Sequence, residues 1–228
     1  MARLNEKTQA VRRDRILNAA EQCFARVGFH RTSMQDICRE AGVSAGALYV
    51  YFSSKEALIS GLIEREMHEF MMRLSNVSTS SDFMEGLRAM GEAYASHETP
   101  EKLRLHVEIN AEAIRNPAIA EIVRKADAFV LQSFERLIIE ARDAGRINPT
   151  LEPSAIAQAL SLVGDGICWQ RAINPNFIPG DVLPVIFAMI GSLMKPVELK
   201  EASQGQKSPK MIITPVLAIG AVFIEHAA

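Results

Sequence analysis

The chain has 228 residues, of which 48% are hydrophobic, and its 25 Lys and Arg residues face 27 Asp and Glu residues. This length and composition allow a sizeable core and exclude a disordered chain, while the uncharged runs at 182–194 and 211–224 fall short of the roughly 20 residues that span a bilayer. Three scattered cysteines indicate reduced thiols and argue against a disulfide framework or a zinc site. Because the N-terminus also lacks the apolar core of a signal peptide, we expect a cytoplasmic protein without a membrane span.

The formal net charge of −2 is unevenly distributed. Residues 1–60 hold nine Lys and Arg and six Asp and Glu, which gives +3 in this segment and −5 in the remainder. An excess of this size favours a nucleic-acid partner only weakly, since ordinary solvated helices often carry as much. A sequence motif is needed to decide whether the protein binds nucleic acid.

The first predicted helix spans 11–27, where apolar residues recur at helical spacing and Gly28 provides a stop. A short second helix follows it. Thr32 and Ser33 are the N-cap candidates of this helix, and Gln35 completes a possible capping box with Thr32.

A third helix is predicted after Ser44, over 45–52, and a long fourth helix begins at a capping box of Ser53 and Glu56 and runs to about Leu74. Two short helices joined by a tight turn and packed on a longer helix are typical of a helix-turn-helix. In this motif the N-terminal residues of the second short helix face base edges in the major groove of DNA.

Several polar side chains around this motif suit contacts with DNA phosphates. Tyr49 and Tyr51 offer hydroxyl groups, and Lys55 adds a positive charge. Thr32 and Ser33 offer hydroxyl groups from the start of the preceding helix. Any one tyrosine is more often a core residue with a hydrated hydroxyl group, so the constellation as a whole predicts DNA binding.

The stretch GFHRTSMQDICREAGVSAGALYVYFSSKEAL resembles the DNA-binding domain of the tetracycline-repressor (TetR) family of bacterial regulators. The resemblance implies operator contacts by Thr32, Ser33, Ser44, Ala45, Gly46, Tyr49, Tyr51 and Lys55. The chain departs from the common family pattern at Ala45, Ala47 and Val50, where polar or aromatic residues often stand. Base discrimination is therefore expected to depend on apolar contacts with thymine methyl groups and on DNA shape.

The family also implies an all-α fold of two domains. A three-helix helix-turn-helix DNA-binding domain over 1–53 precedes a larger helical effector-binding and dimerisation domain over 54–195. Residues 196–228 read as a polar linker followed by an apolar tail whose role is unknown.

Helix signals in the second region agree with this expectation. Residues 103–113 alternate between apolar and polar side chains, a period of two that normally indicates a strand, but the flanking prolines, the length and the family favour a helix. The helices predicted here span 100–115, 117–144, 154–172 and 180–194.

Catalysis is not expected. His106, Glu108 and Glu112 could be imagined as metal ligands or acid–base groups, yet the sequence has no HExxH, GxSxG or glycine-rich phosphate loop. We therefore predict no enzyme activity, cofactor or metal. The alternative to an effector-responsive repressor is an architectural or global DNA-binding regulator without a small-molecule effector.

The predicted helices over 153–172 and 180–194 are apolar and rich in small residues, and we expect them to form a homodimer. Large apolar side chains and a few polar groups in otherwise apolar helices predict a pocket for a hydrophobic or amphipathic effector that releases DNA. The residues proposed to line it are Phe70, Met90, Tyr94, His106, Asn110, Phe129, Gln132, Asp165 and Trp169.

Overall fold

The computed structural model describes residues 6–197, and nine helices make up most of this part of the chain. The expected all-α fold is confirmed. Within 6–197 the only pairing of extended backbone is an isolated bridge between Ile147 and Pro196. The helices are α1 (Glu6–Val27), α2 (Met34–Ala41), α3 (Ala45–Tyr49), α4 (Lys55–Thr79), α5 (Phe83–His97), α6 (Pro100–Ala113), α7 (Pro117–Asp143), α8 (Pro153–Ile173) and α9 (Pro179–Met194).

Two predicted capping boxes are wrong by one residue. Helix α2 is capped by Ser33, whose side chain exchanges hydrogen bonds with Asp36, rather than by Thr32 and Gln35. The Thr32 hydroxyl group is turned into the core instead, which removes it from capping. Helix α4 is capped by Ser54, which accepts a hydrogen bond from the Ala57 amide, and not by Ser53.

Other boundaries follow local signals. Asp82 caps α5, a helix that the sequence reading did not assign, and α4 continues to Thr79, beyond the predicted end near Leu74. The alternating segment 103–113 is helical, because Thr99 caps it and Pro100 occupies its first turn. None of the helices in the described range is long and apolar enough to cross a membrane.

Helices α1–α3, residues 6–52, are called the head below, and α4–α9 are called the body. The largest core cluster fills the head and continues into the body, where it includes the start of α4, the middle of α6 and the start of α7. A second cluster joins the end of α4 to α5, α7, α8 and α9. The proposed boundary between residues 53 and 54 therefore falls within shared packing and stays a prediction. The tail predicted over 196–228 lies, from residue 198 onward, outside the described residues.

Candidate DNA-binding surface and ligand cavity

Helix α3 presents a small and open outer face. Ser44 caps it by accepting a hydrogen bond from the Ala47 amide at 3.2 Å, and Leu48 anchors it because its side chain is fully buried. The opposite face is exposed, and Tyr49 keeps 53% of its surface accessible. A Cβ atom added at Gly46 would meet nothing within 4 Å, so another molecule can approach the backbone here closely.

This surface has the form that major-groove binding requires. Ser44, Ala45, Gly46 and Tyr49 lie on it together and are exposed, as the helix-turn-helix prediction requires. Tyr51 is half-buried and packs against the head core. Operator contacts by these five residues stay a prediction.

Thr32 does not fit the predicted role. Its side chain is 2% exposed, and its hydroxyl oxygen lies 2.8 Å from the Gly28 carbonyl oxygen and 3.2 Å from that of Cys23. The hydroxyl group is thus enclosed by α1 and the loop that follows it, which disfavours a phosphate contact, and that contact stays a prediction. Ser33 is exposed, but its hydroxyl group donates to Asp36 at 2.6 Å. These hydrogen bonds from Ser33 lower the pKa of the Asp36 carboxyl group.

Lys55 has a structural partner inside the protein. Its ammonium group donates to the Phe29 carbonyl at 2.6 Å, lies 3.4 Å from the His30 carbonyl oxygen, and sits 4.4 Å from the centre of the Phe29 ring. The side chain thus ties the start of α4 to the loop between α1 and α2. A phosphate contact by Lys55 stays a prediction.

That same loop is held from the other side by α6. The Phe29 amide donates to Glu108 at 2.8 Å, and the His30 ring nitrogen lies 2.9 Å from a Glu112 oxygen. The Arg115 guanidinium group donates to Glu112, and it lies 2.8 Å from the same His30 nitrogen. Burial acts to raise the pKa of Glu112, but the hydrogen bonds from Arg115 and His30 outweigh it and lower that pKa. Helix α6 is therefore fastened to the head through charged hydrogen bonds.

A cavity of about 330 Å³ lies in the body, and helices α4 to α9 all contribute to its wall. Helix α6 runs along it, with His106 and Asn110 facing inward two turns or less from Glu112. A more open cleft of about 900 Å³ shares part of this wall. Six of the nine predicted ligand residues line the cavity: Phe70, Met90, Tyr94, His106, Asn110 and Asp165.

The other three predicted residues lie elsewhere. Trp169 lines the open cleft rather than the cavity and keeps 51% of its surface exposed. Phe129 and Gln132 line neither space, so the cavity does not support their proposed role, which stays a prediction. The reason is helical phase, because α7 turns Asp127, Val130 and Phe134 toward the cavity, and residues 129 and 132 fall off that face.

Ionisable groups along the cavity have shifted pKa values. Burial raises the pKa of the Glu66 carboxyl group to about 7 and lowers that of His106. Burial also raises the pKa values of Asp127 and Asp165. Glu66 and Asp127 were missed from sequence. Glu66 could have been found, since it stands on the same helical face as Ile59, Leu62, Ile63 and Phe70.

Comparison with known proteins identifies the family to which this chain is similar. The family model described as "Bacterial regulatory proteins, tetR family" matches residues 16–62, and "BetI-type transcriptional repressor, C-terminal" matches residues 83–194. The chain is 33% identical over 189 residues to the HTH-type transcriptional regulator UidR of Escherichia coli (strain K12), across 80% of this chain and 92% of UidR.

Solved structures agree with that match. Salmonella enterica GusR aligns with a TM-score of 0.71 and 30% identity over 85% of this chain and 100% of GusR. The SmeT–triclosan complex has the same fold, with a TM-score of 0.66 and 24% identity over 88% of this chain and 100% of SmeT. The chain belongs to the TetR family of transcriptional regulators.

Proposed function

We propose that the protein is a transcriptional repressor that binds a palindromic operator as a homodimer and leaves it when a small hydrophobic or amphipathic effector binds. The observation that carries this proposal is the double role of α6. One face of this helix lines the cavity with His106 and Asn110, and the opposite face holds the loop of the head through Glu108 and Glu112. A ligand that displaces α6 therefore displaces the head as well.

The release follows from linkage between the two sites. A ligand weakens DNA binding only if it prefers the arrangement in which the two heads of a dimer are wrongly spaced for the operator. SmeT, which shares this fold, was solved with triclosan, a small hydrophobic molecule. That precedent supports a small-molecule ligand for this protein.

Dimerisation is supported by exposed apolar stripes on α8 and α9. Leu162, Trp169 and Ile173 recur along one face of α8 and are 65%, 51% and 54% exposed. Val185 and Met189 on α9 are 62% and 59% exposed. Apolar surface at this spacing suits a second copy of the chain, which would cover it.

Val185→Glu and Ala188→Glu test this interface, because both residues are exposed and a buried carboxylate would oppose pairing. Sedimentation should show a dimeric wild type and folded monomeric variants that bind operator poorly. A monomeric wild type that binds operator at full strength would contradict the proposal.

A second candidate is an architectural regulator without an effector. The small and apolar outer face of α3 favours this candidate, because the side chains of Ala45 and Val50 offer no hydrogen bonds to bases. The cavity favours the effector-responsive repressor instead. If the protein acts on operator DNA as proposed, its place of action is the cytoplasm.

Fluorescence anisotropy of a labelled duplex from the region upstream of the gene tests both candidates. The repressor proposal predicts that affinity falls steeply with salt and that ligands which bind the body release the duplex. Ligands that bind the body but leave DNA affinity unchanged would favour the architectural candidate.

A further inference from the structure

Three polar side chains meet where the loop of the head rests on α6. The Nε2 atom of the His30 ring lies 2.9 Å from Oε2 of Glu112 and 2.8 Å from a terminal nitrogen of the Arg115 guanidinium group. The Nε atom of Arg115 donates to the same Glu112 oxygen. One imidazole nitrogen of the head is thus held between a carboxylate and a guanidinium group at the end of α6.

A single imidazole nitrogen cannot make both of these hydrogen bonds at once. In a neutral ring the proton can lie on Nδ1, so that Nε2 accepts from Arg115 and has nothing to donate to Glu112. In a protonated ring both nitrogens carry a proton, so that Nε2 donates to Glu112 and has no lone pair left for Arg115. Protonation therefore selects the carboxylate and repels the guanidinium group.

The two partners of His30 differ in their freedom to leave. The Glu112 side chain is only 6% exposed, whereas that of Arg115 is 62% exposed. The guanidinium group can therefore turn into water, while the carboxylate stays enclosed by protein. The His30 side chain is itself 54% exposed, so protons reach it, and its ring packs edge-on against that of Phe29 with 5.5 Å between the ring centres.

Other charged groups around this loop have partners of their own. They are Glu108 of α6, Lys55 and Glu56 of α4, and Arg31 of the loop itself. Carboxyl, ammonium and guanidinium groups ordinarily keep their charge between about pH 5.5 and pH 8, whereas imidazole is the side chain that ordinarily changes its charge there. His30 is therefore the member of this group on which a proton acts.

We propose that the contact between the head and α6 is proton-sensitive: neutral His30 accepts a hydrogen bond from Arg115, and protonated His30 forms an ion pair with Glu112 while Arg115 turns into solvent. Acid thus replaces a contact to an exposed side chain by a direct ion pair with a buried carboxylate, which holds the loop more tightly. Glu112 is thereby the residue that positions the loop. This inference goes beyond the proposed function, because it requires neither an operator nor an effector.

Hydrogen exchange of the Phe29 amide in the full-length protein measures this contact, because that amide donates to Glu108 across the same junction. The protection factor, corrected for intrinsic exchange at each pH, should be about threefold or more higher near pH 5.5 than near pH 8 in the wild type. His30→Gln should remove this difference. His68→Gln, which removes an exposed histidine of α4, is the control and should keep it.

Two further variants should respond to pH in opposite ways. Arg115→Ala should lower the protection factor about threefold at the higher pH, where the guanidinium group is the partner of His30, and change it little at the lower pH. Glu112→Gln keeps the size of the side chain and should cause its larger loss at the lower pH, where the charge is needed. Arg104→Ala removes an exposed guanidinium group of α6 that pairs with Glu101 at the same spacing and should change the protection factor at neither pH.

Each outcome decides the proposal. Opposite pH patterns in Arg115→Ala and Glu112→Gln would support the exchange of partners. A wild-type protection factor that does not change with pH, or a change that persists in His30→Gln, would overturn it. Equal losses from Arg115→Ala at both pH values would assign that residue a fixed structural role and would also overturn it. Because no outcome involves DNA, a failure of the proposed function would leave these results unchanged.

Discussion

The head and the body contain similar residue types, but the head packs them closely and the body arranges them around a cavity. In the head, apolar side chains such as Phe24, Ile37 and Leu48 are fully buried. The buried Thr32 hydroxyl group of the head donates to the Gly28 carbonyl, and the Lys55 ammonium group at the start of the body donates to the Phe29 carbonyl of the head. The body divides its core around a cavity, and the cations nearest to Glu66, Lys102 and Arg65, are paired with other carboxylates. A close-packed unit fixes the shape of a DNA-binding surface, and a loosely filled one can respond to a ligand.

The largest expected effect compares one substitution in the two regions. Phe24→Ala should lower the free energy of unfolding by about 3–5 kcal/mol, because Phe24 is fully buried in the head core. Phe70→Ala should cost only about 1–2 kcal/mol, since part of its ring already faces the cavity. Urea unfolding of both variants measures the difference. Equal losses would remove the contrast between head and body.

The next largest expected effect is on operator binding, with the stability of the fold unchanged. Gly46→Glu has room on α3, so the fold should be unchanged, but the added carboxylate should weaken operator binding by about 100-fold or more through repulsion from phosphates. Gln132→Glu adds the same charge to an exposed site on α7 and serves as the control. Anisotropy with a labelled operator measures both. Full operator binding by Gly46→Glu would show that α3 does not enter the groove.

A smaller expected effect tests the hydrogen bond that joins the start of α4 to the loop between α1 and α2. Lys55→Met keeps most of the apolar stem but removes the ammonium group that bonds the Phe29 carbonyl, and it should lower the free energy of unfolding by about 1–2 kcal/mol. The salt dependence of operator binding in the same variant then separates two roles. A slope reduced by about one unit would add a phosphate contact, and an unchanged slope would leave Lys55 a structural role alone.

The smallest effect is the stability cost of the unpaired carboxylate in the body. Folding raises the pKa of Glu66 to about 7, so the folded state favours its protonated form and loses stability as pH rises through that value. Glu66→Gln should therefore be about 1 kcal/mol more stable than the wild type at pH 8, a figure reduced because the group faces the cavity, and equal to it near pH 4. Thermal unfolding at the two pH values checks this. A variant that is less stable at pH 8 would show that Glu66 has a partner.

Local sequence signals predicted the head well. Gly28 and Gly42 take positive φ angles of 90° and 61°, where glycine is favoured, and they mark the ends of α1 and α2 as expected. The errors at Thr32 and Ser53 arose because two adjacent hydroxyl residues offered equivalent caps. A contact distant in sequence, between Thr32 and the Cys23 carbonyl, decided one of them.

The cavity was harder to predict because its wall depends on how seven helices, α1 and α4 to α9, face one another. The face that α7 turns inward excludes Phe129 and Gln132, and nothing in the composition of α7 alone fixes that rotation. Glu66 was missed since a single carboxylate on a long helix is normally solvated. Only the packing of α1 and α6 against α4 shows that its neighbouring cations are already paired.

The most direct test of a DNA-binding repressor is selection from a pool of random duplexes of about 30 base pairs, followed by sequencing of the bound fraction. The wild-type protein should enrich an inverted repeat whose half-sites lie one helical turn or more apart, and Gly46→Glu should enrich nothing. A wild-type protein that enriches no sequence, or a duplex bound equally well by Gly46→Glu, would contradict the assignment of α3 as the element that reads DNA.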